Sequence, residues 1–163
     1  MPERIPHELP LILAVDDDPA QRHVLGALLH GTARIDFFSN PTTALDALRA
    51  GSYDAAVLDV HLRRSRLDGF DVARRIRTAD PCLAIIIHTG DDSPAVLENT
   101  IDVRAIRRVL KASGRVALSG AVRECVQETR EARERQREAA LGRETRHHLT
   151  TQQQTMELSG FAQ

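Results

Sequence analysis

The stretch Leu11-Ile12-Leu13-Ala14-Val15-Asp16-Asp17-Asp18-Pro19 carries the signals that decide the fold. Its first five residues form a continuous apolar run, which is typical of a short strand buried on both faces of a sheet. Asp18 followed by Pro19 is typical of a helix start, with an acidic N-cap and a proline at the first helical position. Asp16 and Asp17 are therefore predicted to stand in the loop directly after a buried strand.

The same alternation of apolar runs and amphipathic segments continues to residue 110. Further strands are predicted at 34–38, 53–58, 83–87 and 105–110, and further helices at 41–50, 69–78 and from Ser93. This pattern predicts an α/β fold, a five-stranded parallel sheet wrapped by helices. In such folds the functional site lies at the carboxyl ends of the strands.

The sequence changes character after Gly114, where Glu and Arg are interleaved and no proline follows. Glu131 and Arg135 are spaced as a well-oriented i,i+4 ion pair. We predict one long helix as a C-terminal extension, with its first part packed on the domain and a frayed tail from Thr150. The predicted organisation is an N-terminal tail at 1–8, a domain at 9–127 and a helical extension with its tail at 128–163.

Composition excludes several classes of protein. The formal net charge is -1, which argues against a strongly basic nucleic-acid binder. No apolar run approaches the ~20 residues of a membrane span, and the N-terminus has no signal-peptide pattern. Cys82 and Cys125 have no metal-like spacing, so a cytoplasmic location with reduced thiols is expected.

The predicted strand ends gather a distinctive set of side chains. Asp16 and Asp17 follow the first strand, Asp59 the third, Thr89 the fourth, and Lys111, the only lysine among 22 basic residues, the fifth. Clustered carboxylates repel one another unless a cation joins them, and Mg²⁺ is the natural choice for oxygen ligands. A carboxylate nucleophile, a metal, a hydroxyl and an ammonium suit phosphoryl transfer, which needs mainly positioning and charge neutralisation.

These motifs resemble the response-regulator receiver family of two-component signalling, whose fold is CheY-like, across roughly residues 9–125. Thr89 lies 30 residues after Asp59, and Lys111 lies 22 residues after Thr89, as the family's pattern requires. The matching motifs are Val15-Asp16-Asp17-Asp18, Val57-Leu58-Asp59, Leu67-Asp68-Gly69, His88-Thr89-Gly90 and Leu110-Lys111.

The resemblance implies a Mg²⁺ site beside a phosphoacceptor. Asp59 is implied as the phosphoacceptor and as a metal ligand. Asp17 is implied as a direct ligand, Asp16 as a ligand through water, and the main-chain carbonyl of His61 as the third protein ligand. Asp18 is interpreted as a helix cap rather than a ligand, and the ring of His61 is expected to face solvent.

The resemblance also implies what the domain does. Thr89 resembles the hydroxyl that reorients towards the phosphate, and Lys111 resembles the lysine that pairs with it. A histidine kinase is the implied phosphodonor, so the chain is expected to be a signalling switch with at most slow self-dephosphorylation rather than an enzyme. Output is expected through the C-terminal helix, with homodimerisation as the simplest use of a long polar helix.

The loop after Asp59 departs from the family pattern. It is about two residues longer than the usual loop and lacks its proline. Arg63, Arg64 and Arg66 lie in it, near the expected approach of a phosphoryl donor. They are open to three interpretations: attraction of the donor, contact with a kinase, or simple solvation.

Two further departures concern the last strand. Lys111 is followed by Ala112 rather than proline, so the family's customary cis peptide is not expected. Arg108 occupies the position where the family usually has an aromatic residue that moves inward on activation.

These departures leave a pseudo-receiver that serves only docking or dimerisation as one alternative, and a receiver fragment of a larger regulator or hybrid kinase as another. A small phosphatase or phosphotransferase of similar fold that uses Asp nucleophiles is a third, but it would need its nucleophile and a second Asp both after the first strand, and a substrate-covering cap, and neither is evident.

Overall fold

The structure is a computed structural model that describes the backbone of residues 8–48, 52–105 and 107–160, and their side chains as far as Arg143. Strands and helices alternate along these residues in the predicted order. The strands are β1 (Leu11–Val15), β2 (Arg34–Phe38), β3 (Ala55–Leu58), β4 (Ile85–Thr89) and β5 (Arg107–Leu110). The helices are α1 (Pro19–Leu28), α2 (Pro41–Ala47), α3 (Gly69–Ala79), α4 (Pro94–Asp102) and α5 (Gly114–Gly160), with a 3-10 turn at Lys111–Ser113.

The five strands form one parallel sheet in the order β2-β1-β3-β4-β5. The register places Val15 opposite Leu58, and Leu58 opposite Ile87. The carboxyl ends of β1 and β3 therefore lie side by side, with β4 as the next strand. The predicted α/β class with a five-stranded parallel sheet and a long C-terminal helix is confirmed.

Both faces of the sheet are covered, which explains why β3 and the first three residues of β4 are entirely apolar. Side chains of α2, α3 and α4, with Phe70 and Ile76 among them, pack on one face. Side chains of α1 and the first part of α5, including Leu118 and Val122, pack on the other. Each buried aliphatic side chain contributes about 1.5–3 kcal/mol, so this core holds the strand ends in fixed positions.

Some predicted boundaries differ from the observed ones. The fourth strand was expected at 83–87 but runs from Ile85 to Thr89. The backbone N–H of Leu83 donates to Asp80 O at 3.1 Å, a turn that takes Leu83 out of the strand although it is fully buried. The expected end of the second helix at Ala50 lies outside the described residues.

The helix starts follow the predicted capping chemistry. The Asp18 side chain accepts from the Ala20 backbone N–H at 2.8 Å, so Asp18 is a cap as interpreted. At the start of α3, Asp68 and Asp71 form a reciprocal capping box, with each carboxylate accepting from the other residue's N–H. These caps satisfy backbone donors that would otherwise be unpaired beside the strand ends.

The chain divides into two compact units, one ending at Arg130 and one beginning at Glu131. In the first unit, Thr129 is fully buried and its hydroxyl accepts from the Ala84 backbone N–H at 2.9 Å. The second unit is helical as far as Gly160, so the tail predicted to fray from Thr150 is helical in the described part. It contains the predicted i,i+4 pair, with Glu131 and Arg135 3.7 Å apart. None of the described helices combines the length and hydropathy needed to cross a membrane.

Candidate functional site

Three carboxylates meet at the carboxyl ends of β1 and β3. Oxygen atoms of Asp16, Asp17 and Asp59 all lie within 4.8 Å of one another. Asp16 and Asp59 are buried and Asp17 is half-buried. The cluster follows from the register, because residues that come directly after paired parallel strands emerge at the same edge.

Lys111 joins two of these carboxylates. Its Nζ atom lies 2.9 Å from Asp16 Oδ2 and 3.0 Å from Asp59 Oδ2. Lys111 follows β5, which is separated from β3 by β4, so the Lys111 and Asp59 side chains together bridge roughly 10 Å at the ~4.8 Å strand spacing. Burial alone lowers the pKa of Lys111, but the hydrogen bonds to the two carboxylates outweigh it and the net shift is upward.

The surroundings of Asp59 disfavour its ionised form. Burial raises the pKa of its carboxyl group above the ordinary value, and the neighbouring Asp16 adds to that rise. Hydrogen bonds from Lys111 and from the His61 backbone N–H hold the pKa down, but only in part. The ionised form of Asp59 therefore depends on cations supplied by its surroundings.

Thr89 is the last residue of β4 and is fully buried. Its hydroxyl accepts a hydrogen bond from the Asp91 backbone N–H at 3.1 Å. The hydroxyl is thus engaged in the turn that follows β4.

Asp91 is a residue of the site that the sequence pattern did not single out. Its carboxylate oxygen Oδ2 lies 2.9 Å from His61 Nε2, across the space between the loops after β3 and β4. Hydrogen bonds from Ser93, backbone first and then side chain, and one from His61 lower the pKa of Asp91 to about 2. The His61 side chain is 56% exposed, as expected, but it has a carboxylate partner that the prediction did not include. The signal available in the sequence was the acidic run directly after Gly90.

An open cleft of about 510 Å³ lies over the cluster. Acidic, basic and neutral groups share its walls, and Asp59 and Lys111 lie at its base. The lining residues are Asp17, Asp18, Pro19, Gln21, Asp59, His61, Arg63, Arg64, Gly90, Asp91 and Lys111. A small anionic molecule therefore has access to the Asp59 carboxylate.

The donor set fits a divalent cation with a preference for oxygen. Asp16, Asp17 and Asp59 offer carboxylate oxygens at spacings that one small ion can bridge, and they contribute more negative charge than Lys111 balances. Mg²⁺ prefers such ligands and keeps several waters, which an open cleft allows. These residues fit the predicted magnesium site.

Gly69 explains one of the sequence motifs. A Cβ atom at this position would lie 2.0 Å from the carbonyl oxygen of Asp59 and 3.0 Å from the Cα of Val60. The Gly69 N–H donates to Val60 O at 3.0 Å and closes the loop between β3 and α3. The helix start can approach the backbone of Asp59 this closely only because residue 69 lacks a side chain.

Arg108 and Ala112 lie where the family pattern is broken. Arg108 pairs with Ile87 in the ladder between β4 and β5. Its Nη1 atom is buried and has no hydrogen-bond partner among the described residues. Ala112 lies within the 3-10 turn that follows β5, directly after Lys111.

Comparison with known proteins agrees with this geometry. Residues 12–123 match the model of the response regulator receiver domain. The chain is 32% identical over 83 residues to the transcriptional regulatory protein ZraR of Klebsiella oxytoca, covering 50% of this chain and 18% of that protein. It is 37% identical over 83 residues to the response regulator MprA of Mycolicibacterium vanbaalenii, covering 50% of this chain and 35% of that protein.

Among solved structures, the signal receiver domain of an HD domain-containing protein from Pseudomonas fluorescens Pf-5 superposes with a TM-score of 0.69 at 25% identity. The superposition covers 76% of this chain and 99% of that domain. The chain spans about a third or less of the length of the curated relatives quoted above. It belongs to the response regulator receiver domain family.

Proposed function

We propose that this receiver accepts a phosphoryl group on Asp59 from a histidine kinase and acts as a cytoplasmic signalling switch. The observation that carries the proposal is the position of Asp59, buried at the base of an open cleft and hydrogen-bonded to Lys111. Asp16 and Asp17 lie beside it within reach of a shared cation. This set supplies a nucleophile, counter-charges and access for a donor.

The chemistry follows from these groups. An Asp59 carboxylate oxygen forms the new bond to phosphorus, while the bond from phosphorus to the donor's leaving group breaks and its electron pair departs with that group. Lys111 gives up its hydrogen bond to Asp59 and pairs with one oxygen of the phosphoryl group. The Thr89 hydroxyl leaves the Asp91 backbone N–H and donates to a second phosphoryl oxygen. Asp17, Asp59 and the His61 main-chain carbonyl, with Asp16 through water, would hold a Mg²⁺ ion, which would supply charge neutralisation.

Phosphorylation with a small donor tests the assignment. The intact protein, incubated with Mg²⁺ and acetyl phosphate, is expected to gain the mass of one phosphoryl group, and peptide mapping should place it on Asp59. The Asp59→Asn variant should take up none. Equal labelling of the variant, or no labelling of the wild-type protein by any donor, would refute the proposal.

The output is proposed to run through the C-terminal helix, in a homodimer. Side chains between Glu134 and Arg143 are almost all exposed, including Leu141 at 64%, and a polar helix is stabilised only weakly by its own propensity. A second copy of the chain is the partner we propose for it. Sedimentation of the full chain and of a version ending at Arg130 tests this; monomers of both at tens of micromolar, with and without phosphorylation, would favour a connector to a further domain.

A docking-only pseudo-receiver remains the second candidate, and the buried, unpartnered Nη1 atom of Arg108 is the observation that favours it. A dimer that never incorporates phosphate would establish that alternative.

A further inference from the structure

The loop between β3 and α3 forms one wall of the cleft. Its ends are joined by the hydrogen bond from Gly69 N–H to Val60 O, and Leu62 is buried in the core at 5% exposure. The Ser65 N–H donates to Leu62 O at 3.1 Å, which closes a turn over residues 62–65. The two residues inside that turn, Arg63 and Arg64, are thereby held in place by a buried anchor.

The turn is also tied to the acidic cluster. The Arg64 backbone N–H donates to Asp17 Oδ2 at 3.2 Å. Arg63, Arg64 and Arg66 are all exposed, but only Arg63 and Arg64 line the cleft that contains Asp59. Arg63 and Arg64 therefore border the space that a molecule approaching Asp59 enters.

The two guanidinium groups are uncommitted. Within the part of the chain that the structure describes, neither has a hydrogen-bond or ion-pair partner. Lys111, the remaining cation of the cleft, already donates to Asp16 and Asp59. An incoming anion thus meets two free cations at the wall before it displaces the lysine at the base.

The charge balance of the cleft shows why these cations matter. The cleft and the metal cluster at its base carry five carboxylates, from Asp16, Asp17, Asp18, Asp59 and Asp91, against three basic groups. A divalent cation brings the net charge from -2 to zero. Without Arg63 and Arg64 the lining would still be net negative with the metal bound, and a dianionic donor would be repelled.

We propose that Arg63 and Arg64 bind the anionic oxygens of the phosphoryl donor and raise the rate at which it reaches Asp59. This inference rests on the proposed function and assigns the loop a specificity role within it. The arginines do not take part in bond making: they hold the group whose bond to its leaving group breaks as the Asp59 oxygen bonds to phosphorus. The ligand class is a small dianionic phosphoryl donor, such as an acyl phosphate.

The test compares the phosphorylation rate of the full-length protein with that of an Arg63→Gln/Arg64→Gln variant at saturating Mg²⁺. The rate with acetyl phosphate should fall about tenfold at low ionic strength. The difference should shrink to about twofold or less near 1 M salt, where screening acts within ~3 Å. Phosphoramidate, whose protonated nitrogen lowers its net negative charge, should show a smaller loss.

Matched variants separate charge from structure. Arg66→Gln removes a charge from the same loop outside the cleft and should keep the wild-type rate at matched salt. Arg63→Lys/Arg64→Lys keeps the charge and should retain most of it. The backbone N–H that binds Asp17 is present in every variant, and thermal unfolding should show the same fold stability.

A binding measurement tests the arginines independently of the phosphorylation rate. Acetonylphosphonate, which cannot transfer its phosphoryl group, should shift the NMR signals of the loop amides in Asp59→Asn, and more weakly when Arg63 and Arg64 are glutamine. If the wild type is phosphorylated and the double glutamine variant shows the same phosphorylation rate and the same NMR shifts, the role of the arginines is wrong while the proposed function stands. No phosphorylation of the wild type, with the phosphonate still bound through the arginines, would refute the proposed function and leave this anion site standing.

Discussion

Replacing Asp17 by asparagine should raise the stability of the metal-free protein and remove most of its response to Mg²⁺. The substitution preserves the shape of the side chain and an oxygen that can still accept the Arg64 backbone N–H, whose present distance is 3.2 Å. It removes one negative charge from a cluster whose oxygens lie within 4.8 Å of one another. Relative to the wild type, the variant should therefore be more stable in chelator and less stable in saturating Mg²⁺.

The magnitude follows from the geometry. At 4.8 Å two like charges repel by about 3.5 kcal/mol at an effective dielectric constant of about 20. Lys111 already offsets the charges of Asp16 and Asp59, and solvent at the half-buried Asp17 screens the remainder, so about 1 kcal/mol is expected. For a domain of this size that corresponds to a rise in Tm of about 4 °C.

The measurement is thermal unfolding of the wild type and Asp17→Asn in chelator and in increasing Mg²⁺. A ligand that binds only the folded protein stabilises it by about 2.7 kcal/mol at a hundredfold excess over Kd. The wild type should show this gain, and the variant should lose most of it.

Asp18→Asn is the matched control. Asp18 caps α1 by accepting from Ala20 N–H, asparagine caps equally well, and Asp18 lies outside the cluster of three oxygens. Its Tm should not change in chelator, and its Mg²⁺ response should persist. A lower Tm for Asp17→Asn in chelator, or an undiminished Mg²⁺ response, would contradict the reasoning.

Three further outcomes are expected. Lys111→Arg should leave phosphorylation of Asp59 measurable but impair the change in shape or partner binding that follows, because a longer, forked cation cannot replace a point charge; an unaltered phosphorylation-dependent shift in sedimentation would contradict this. Burial, with a smaller effect of Lys111, lowers the pKa of His88 from 6.5 to about 4. The unfolded chain therefore binds the proton more readily, and urea unfolding should show a loss of about 1.4 kcal/mol as pH falls from about 7.5 to about 5.5, which His88→Gln should not show. Gly69→Ala should destabilise by about 3 kcal/mol because its Cβ would lie 2.0 Å from the Asp59 carbonyl oxygen, whereas Gly120→Ala, with open space around it, should be neutral or stabilising in the same unfolding assay.

Local signals sufficed for the elements and the acidic cluster. The apolar run before Asp16 and the Asp18-Pro19 cap predicted β1 and the start of α1, and both are observed. Parallel strands bring their carboxyl ends together by geometry alone, so the proximity of Asp16 and Asp59 could be predicted without coordinates.

The remaining features depend on contacts between distant residues. The His61–Asp91 pair joins residues 30 positions apart through two irregular loops, whose paths no periodic pattern encodes. The sequence around Thr129 predicts an exposed polar helix, yet the Thr129 hydroxyl accepts a hydrogen bond from the Ala84 backbone N–H, 45 positions away. Such pairs form only because packing has already placed both partners.

The hydrogen bond from Gly69 N–H to Val60 O joins the two ends of the loop that follows Asp59. Within the loop, Leu62 is buried and the His61 backbone N–H donates to Asp59, so these two residues belong to the fixed part of the fold. The side chains of Arg63, Arg64 and Arg66 are exposed and can be exchanged without moving Asp59. Exchanging these three side chains for those of another receiver would therefore change the charge at the entrance of the cleft while the acidic cluster keeps its geometry.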